Sequence, residues 1–231
     1  MTDGADGSGF FFIRHGQTTA NRDGVRSGAE SDTHMTELGR EQVRTAGRIL
    51  HDLDVTPSLI LCSPLSRTIE TAHLLNARLG LEIRIEPGLV ERRLGDWNGQ
   101  SVEETRIPLA AGETPPGGES SATFRARVLA AFRGLAPLCA RWPLIVSSRG
   151  VARILMEQAG RGDAATLANG AILRVTLAGT DHAGDIAVAE IAELEPREET
   201  GRSHESTRLG NKAQPAVRAS AHSRIVRHRP R

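Results

Sequence analysis

The sequence predicts an α/β fold, a three-layer α/β/α sandwich around a mostly parallel central sheet. Three short apolar runs, each followed by a helical pattern, support this prediction: residues 10–13, 59–62 and 143–147. Runs of this length are typical of strands buried on both faces of a sheet, and helices that connect parallel strands cover those faces. A chain of 231 residues accommodates one such domain with an appendage.

The first apolar run, Phe10 to Ile13, ends abruptly in Arg14 and His15. Charged groups at the carboxyl end of a buried strand are significant because ligands of open α/β sheets bind at that edge. The following segment, 21–33, is rich in Gly, Asp, Asn and Ser, so we expect a loop that folds over the strand end.

The segment Arg14-His15-Gly16-Gln17-Thr18, with Asn21 three residues on, resembles the RHG signature of the histidine phosphatase superfamily. That superfamily includes the phosphoglycerate mutases and the fructose-2,6-bisphosphatases. A tripeptide is weak support by itself, so the assignment depends on further motifs in the correct order.

A helix is predicted from Thr36, since apolar residues recur every three or four positions up to about Leu53. Its start, 35–42, resembles the LTxxGxxQA element of the family. The second strand is followed by 63–72, which resembles the motif SPLxRxxxTA, the most specific match in the chain. The resemblance implies that Arg67 binds the substrate phosphate. Arg67 falls in the first turn of a helix ending at Gly80, where a cation is favourable mainly beside a bound anion.

A short strand is predicted at 83–86, and 89–99 then resembles the element LxExxxGxWxG, whose glutamate donates a proton to the leaving group. Glu91 is therefore the candidate acid, although the two arginines after it also allow a solvated salt bridge. Residues 101–104 form a capping-box pattern that predicts a short helix, and 109–119 a loop.

The next helix is predicted by an apolar stripe from Phe124 to Leu138. Gly117-Gly118-Glu119-Ser120, with Phe124 and Arg127, resembles the GGES…F…RV segment of the family. The insertion before it is short, whereas phosphoglycerate mutases carry a longer one. This favours the phosphatase branch over the mutase branch.

The third strand and its helix depart from the family pattern VSHGGVxRxL. Ser148 stands where the second active-site histidine is expected, and Arg149 stands where a glycine is expected. Because the lost histidine would donate to a phosphoryl oxygen, the change predicts a rate penalty of about 10² to 10³. Serine keeps one donor, and the Arg149 guanidinium is placed to restore part of the charge.

Two later strands, 171–177 and 186–191, are predicted to pair. We expect a flexible N-terminus over 1–9, a histidine phosphatase domain over 10–195, and a basic disordered tail over 196–231. The tail holds nine Lys and Arg against three Glu and lacks apolar periodicity.

The resemblance implies a phosphomonoester hydrolase that acts through a phosphohistidine. His15 is the expected nucleophile and Glu91 the acid. The expected phosphate-binding residues are Arg14, Gly16, Gln17, Thr18, Asn21, Arg67 and Ser148. The substrate class is a small phosphorylated metabolite.

Three alternatives remain open. A catalytically inactive pseudo-enzyme would keep the phosphate pocket and bind a phosphorylated ligand without turnover. A phosphoglycerate mutase is disfavoured by the short insertion. A nucleic-acid-associated protein using the basic tail is disfavoured by the mildly acidic body and by the lack of interleaved aromatic residues.

The two cysteines, Cys62 and Cys139, show neither metal-ligand spacing nor a disulfide framework, which favours a reducing cytoplasm. The other histidines lack paired metal spacing, so no metal and no other cofactor are predicted. No secretory or membrane segment is recognisable, and the oligomeric state is left open.

Overall fold

The computed structural model describes residues 7–161, 167–180 and 186–196, and these form a mixed sheet with helices on both faces. The strand order is β3-β2-β4-β1-β5-β6. The strands are β1 Gly9–Arg14, β2 Ile60–Cys62, β3 Ile83–Ile85, β4 Leu144–Ser147, β5 Ile172–Thr180 and β6 Ile186–Leu194. The helices are α1 Thr19–Arg22, α2 Glu37–His51, α3 Ser66–Leu79, α4 Arg106–Ala110, α5 Ser121–Leu135 and α6 Arg149–Gln158.

The sheet is parallel from β3 through β2 and β4 to β1, and β5 pairs antiparallel with both β1 and β6. The predicted mostly parallel α/β architecture is thus confirmed, as is the pairing of the two late strands. In the β1–β4 pair, Phe11 lies opposite Leu144 and Arg14 opposite Ser147. The carboxyl ends of these two strands therefore meet at the same edge.

Alternating side chains of β1 supply two separate cores. Phe10 and Phe12 pack with residues of α5 and α6, such as Phe124 and Val151. Phe11 and Ile13 pack on the opposite face with residues of α2 and α3, including Leu50 and Leu75. Because both faces of β1 are covered, the strand reads as one continuous apolar run rather than an alternating one.

The boundaries of α2 and α3 follow from local chemistry. Thr36 caps α2 by accepting a hydrogen bond from the Gly39 backbone N–H at 3.0 Å. Gly80 ends α3 in the left-handed conformation at φ 63°, a conformation that glycine adopts without strain. Both ends agree with the sequence prediction.

Two helix predictions need correction. The helix expected at Ser101 starts only at Arg106, because residues 101–105 form turns and Ser101 bridges to Val25 of the preceding loop. The resulting helix α4 therefore occupies the first residues of the expected 109–119 loop. Helix α5 ends at Leu135 rather than near Leu138, since Pro137 cannot donate a helical hydrogen bond, and a 3₁₀ segment follows over Ala136–Arg141.

None of the helices in the described ranges is both long and apolar enough to cross a membrane. The predicted flexible N-terminus lies outside the described residues up to residue 6, and so does the predicted tail from 197 onward. The domain boundaries at 9/10 and 195/196 remain predictions.

Candidate active site

A cavity of about 660 Å³ opens at the carboxyl edge of β1 and β4. Its wall includes five of the nine expected site residues: Arg14, His15, Asn21, Arg67 and Glu91. Arg149 and Gly150, at the start of α6, complete the wall beside them. The volume is typical of a small-molecule site.

His15 is buried, with 4 % of its surface exposed, and its backbone N–H donates to the Ser147 carbonyl at 2.9 Å. The ring Nδ1 lies 2.8 Å from the Gly16 carbonyl oxygen, which can only accept, so Nδ1 carries the proton and Nε2 is left with a free lone pair. Burial, followed by repulsion from Arg67 and Arg14, lowers the pKa of His15 to about 3. The imidazole is therefore neutral at physiological pH.

Arg14 is held by the segment that precedes β5. Its guanidinium donates to the Leu167 carbonyl at 2.6 Å, while its buried Nε has no partner among the described residues. Burial, then repulsion from Arg149, lowers the pKa of Arg14 to about 10, so it stays cationic at neutral pH. A buried cation with an unsatisfied donor is a strong point of attraction for an anion.

Gly16, Gln17 and Thr18 shape the loop after β1 and do not line the cavity. A Cβ on Gly16 would lie 2.3 Å from the Gly39 carbonyl oxygen, so only glycine lets this loop approach α2. Gln17 Oε1 accepts from Thr36 Oγ1, and Thr18 Oγ1 caps α1 through the Asn21 N–H. The contact of these residues with phosphate remains a prediction.

Arg67 is 1 % exposed in the first turn of α3, as the sequence predicts. Its two terminal nitrogens donate to the carbonyls of Ser27, Gly28 and Ser31 at 2.9–3.4 Å. Three bonds leave two of its five N–H groups for a ligand. Arg67 therefore holds the 21–33 loop over the strand end while it faces the cavity.

Glu91 is fixed by two backbone donors. Oε1 accepts from the Arg92 N–H at 2.7 Å, and Oε2 accepts from the Gly150 N–H at 2.9 Å. An added Cβ on Gly150 would come within 2.1 Å of Oε1, so this close approach requires glycine. The second glycine of the family pattern therefore permits the present position of the Glu91 carboxylate, while the first is replaced by Arg149.

Ser148 is 2 % exposed and comes directly after Ser147, whose partner in β1 is Arg14, so Ser148 and His15 each follow the last residues of this strand pair. Its Oγ is buried, has no hydrogen-bond partner in the part of the chain that the structure describes, and does not cap α6. The hydroxyl is thus a free donor next to the nucleophile candidate, although Ser148 itself is not part of the cavity wall.

The sequence did not predict Asn169, and it marked Arg127 only as part of a family resemblance without indicating its structural role. Asn169 Nδ2 donates to the His15 carbonyl at 3.0 Å and to Asn21 Oδ1 at 3.1 Å. Its only sequence signal is the Asn-Gly pair before β5, where Gly170 has φ 76°. Arg127 donates to the carbonyls of Gly88, Val90 and Glu91 and pairs with Glu119 at 2.8 Å. Arg127 therefore positions the segment that carries Glu91.

Comparison with known proteins gives a consistent result. The model for the histidine phosphatase superfamily (branch 1) matches residues 10–182. Glucosyl-3-phosphoglycerate phosphatase of Mycobacterium tuberculosis is 37 % identical over 124 residues, covering 50 % of this chain and 54 % of that protein. Adenosylcobalamin/alpha-ribazole phosphatase of Escherichia coli K12 is 41 % identical over 87 residues, covering 38 % and 41 %. The chain thus spans about half the length of these curated relatives.

Solved structures match a larger part of this chain than the curated relatives do. Mycobacterial glucosyl-3-phosphoglycerate phosphatase complexed with VO3 superposes with a TM-score of 0.67 at 26 % identity, covering 78 % of this chain and 96 % of that chain. A putative alpha-ribazole-5'-P phosphatase from Escherichia coli K-12 gives 0.63 at 26 % identity, covering 78 % and 94 %.

Proposed function

Because the chain belongs to the histidine phosphatase superfamily (branch 1), we propose that it hydrolyses small phosphomonoesters through a phosphohistidine on His15. The observation that carries the proposal is the state of that histidine: a neutral ring with Nδ1 bound to the Gly16 carbonyl and Nε2 free in an arginine-lined cavity. A nucleophile needs this unprotonated nitrogen. The named relatives, which act on phosphorylated compounds, support the same reaction class.

In the first step, His15 Nε2 attacks phosphorus while the bond to the ester oxygen breaks. Positive charge develops on the ring, and the Nδ1–H bond to the Gly16 carbonyl strengthens as it does. An interaction that grows in the transition state lowers the barrier. Glu91 gives a proton to the departing alkoxide, so the alcohol leaves neutral.

In the second step, water attacks the phosphoryl group on His15. Glu91, now a carboxylate, takes the proton of that water as the P–N bond breaks, and inorganic phosphate leaves. The two backbone bonds to Glu91 hold its carboxyl group in one orientation for both steps.

Arg14 and Arg67 neutralise the phosphoryl oxygens. Both are almost fully buried and neither forms an ion pair among the described residues, so a bound phosphate adds direct counter-charge to the longer-range attraction of Glu91. Asn21, held by Asn169, adds a neutral contact. We further propose that Gly16, Gln17 and Thr18 contribute by fixing the loop.

Turnover is slow in this proposal because Ser148 replaces a donor to the phosphoryl group. The Ser148 hydroxyl is short and uncharged, and the loss of one preorganised donor costs a factor of about 10² to 10³. The same substitution favours the second candidate, a pseudo-enzyme that binds a phosphorylated ligand without turnover. A mutase remains the least favoured of the three, given the short insertion.

We place the reaction in the cytoplasm. Both cysteines are free and buried, and burial raises the pKa of Cys62 to about 12 and that of Cys139 to about 11. Such thiols are protonated and unreactive, which suits a reducing compartment.

The test is a screen of phosphomonoesters with the purified protein and the variant His15→Ala. Quenching the reaction in base after mixing with ³²P-labelled substrate traps an acid-labile, base-stable phosphoprotein. We expect label on the wild-type protein and none on His15→Ala. Hydrolysis that persists in His15→Ala contradicts the mechanism. Phosphate binding with neither hydrolysis nor label selects the pseudo-enzyme.

A further inference from the structure

The cavity wall carries far more positive charge than one phosphate needs. Among the described residues that line it, eight are arginines and only Glu91 is acidic. The arginines are Arg14, Arg26, Arg67, Arg92, Arg106, Arg149, Arg153 and Arg161. Cations gathered around one space repel each other unless anions lie between them.

Several of these arginines are already accounted for. Arg106 pairs with Glu103 at 3.1 Å and Arg153 with Glu157 at 3.6 Å. Arg92 and Arg161 donate to backbone carbonyls, and each also has a carboxylate near it besides Glu91, which is Glu119 for Arg92 and Glu193 for Arg161. Arg14 and Arg67 belong to the phosphoryl site. Arg26 and Arg149 remain.

Arg26 is held in place by hydrogen bonds that involve no carboxylate of the described residues. Its Nε donates to Thr105 Oγ1 at 2.8 Å and a terminal nitrogen donates to the Val102 carbonyl at 3.2 Å. Arg26 and Arg149 line the same cavity, and partial burial followed by repulsion from Arg149 lowers the pKa of Arg26, while attraction to Glu91 opposes that shift. Arg26 is thus a fixed cation with unused donors.

Arg149 begins α6 beside Gly150, and no hydrogen bond or ion pair reaches its side chain from the described residues. Its charge also acts on Arg14 and His15, which places it near the phosphoryl site. With a phosphate dianion at Arg14 and Arg67, only Glu91 of the described cavity wall remains to balance the charges of Arg149 and Arg26. Apolar side chains of Leu109, Phe124 and Met156 line the same cavity.

We propose that Arg26 and Arg149 form a second anion subsite that binds a carboxylate or phosphate on the alcohol portion of the substrate. This assignment rests on the proposed function for the position of the first phosphate. The substrate is then a phosphomonoester with two anionic ends, joined by a short segment that packs against the apolar side chains of the cavity. Two charge-assisted contacts to the second anion provide the selectivity.

The test uses two ligands that differ by one charge and cannot be hydrolysed: (4-carboxybenzyl)phosphonate and (4-carbamoylbenzyl)phosphonate. Isothermal titration calorimetry with the full chain measures both dissociation constants. We expect the carboxylate to bind about tenfold more tightly or better, the effect of charge-assisted hydrogen bonds. Equal binding of the two ligands overturns the proposal.

Single substitutions test which arginines cause the preference for the carboxylate ligand. Arg26→Gln and Arg149→Gln should each remove most of the preference for the carboxylate and change the affinity for the carbamoyl ligand by less than about twofold. Arg106→Gln, which removes an exposed cavity arginine already paired with Glu103, should keep the preference. Equal weakening of both ligands by Arg149→Gln assigns Arg149 to the transferred phosphoryl group and overturns its part in the subsite.

The outcome is independent of turnover. If the protein prefers the carboxylate but hydrolyses no phosphomonoester, the subsite is supported and the proposed reaction is wrong. If the protein hydrolyses phosphomonoesters without preferring the carboxylate, the proposed reaction is supported and the subsite is wrong.

Discussion

Ser148 is the residue whose substitution is most informative. It sits beside His15 with a buried hydroxyl that has no partner among the described residues. Ser148→His restores a donor to the phosphoryl oxygens, so we predict that kcat rises by about tenfold or more. Steady-state hydrolysis of the best substrate from the screen measures the change.

Ser148→Asn is the matched control, because it adds a neutral donor of similar reach without an ionisable ring. We expect a smaller gain than with histidine. No gain in Ser148→His, together with no trapped phosphohistidine in the wild-type protein, would leave the pseudo-enzyme as the function.

Because the fold holds His15 neutral, we predict that the free energy of unfolding depends on pH. Its pKa is about 3 in the folded protein and near 6.5 in the unfolded chain, so below pH 6.5 the unfolded state binds the extra proton. Folding stability therefore falls as the pH drops from 6.5 toward 3, and this loss is absent above 6.5. Relative to His15→Asn, the wild-type protein should lose about 2 kcal/mol of unfolding free energy between pH 6.5 and 5.

Urea unfolding at both pH values measures this difference. The comparison with His15→Asn cancels carboxylate titrations common to both proteins, and asparagine retains an N–H for the Gly16 carbonyl. Parallel pH dependences in the two proteins would show that His15 is not held neutral by the fold.

The close contact between Gly150 at the start of α6 and the Glu91 carboxylate can be tested by substitution. Gly150→Ala places a Cβ 2.1 Å from Glu91 Oε1, so the carboxylate must move and its bond to the Gly150 N–H breaks. We expect kcat/KM to fall by about 10² or more, as for removal of a general acid. In a Glu91→Gln background, Gly150→Ala should have little further effect, because both changes disable the same group.

Gly134→Ala is the control for the helix backbone. Gly134 lies in α5 with nothing within 4 Å of an added Cβ, so alanine should leave activity unchanged and raise stability by up to about 1 kcal/mol. A fall in activity for Gly134→Ala as large as for Gly150→Ala would point to a general loss of folding.

The elements around the site were largely predictable because their signals are local. The apolar run of β1, the cap at Thr36 and the glycine stop at Gly80 each depend on residues adjacent in the chain. Helix α4 was misplaced because Ser101 pairs with Val25, a contact across 76 positions that no local pattern contains.

Across the whole molecule, residues with local sequence signals were also predictable, and residues that act through long-range contacts were not. The motifs identified Arg14, His15, Arg67 and Glu91, and parallel strand order brought them to one edge. The supports of the site, Asn169 and Arg127, act through long-range bonds to backbone carbonyls. Any polar residue of suitable length can fill such a role, so composition and periodicity carry no signal for it.

The tail gives a prediction for the whole chain. Its sequence holds few apolar residues and many arginines, so it has little to bury against the domain. Deleting residues 196–231 should shift the melting temperature by less than about 2 °C, as measured by calorimetry. A larger decrease would show that the tail packs on the domain.

Strand β1 ends at Arg14, directly before the proposed nucleophile His15, and its side chains contribute to both cores. Its amides are hydrogen-bonded between two neighbouring strands in the centre of the sheet, so they should exchange with solvent only when the entire domain opens. Loss of the reactive histidine's alignment and loss of the fold are then a single event. Heat inactivation should follow the same transition as global unfolding, with no earlier stage in which a folded protein has lost its site.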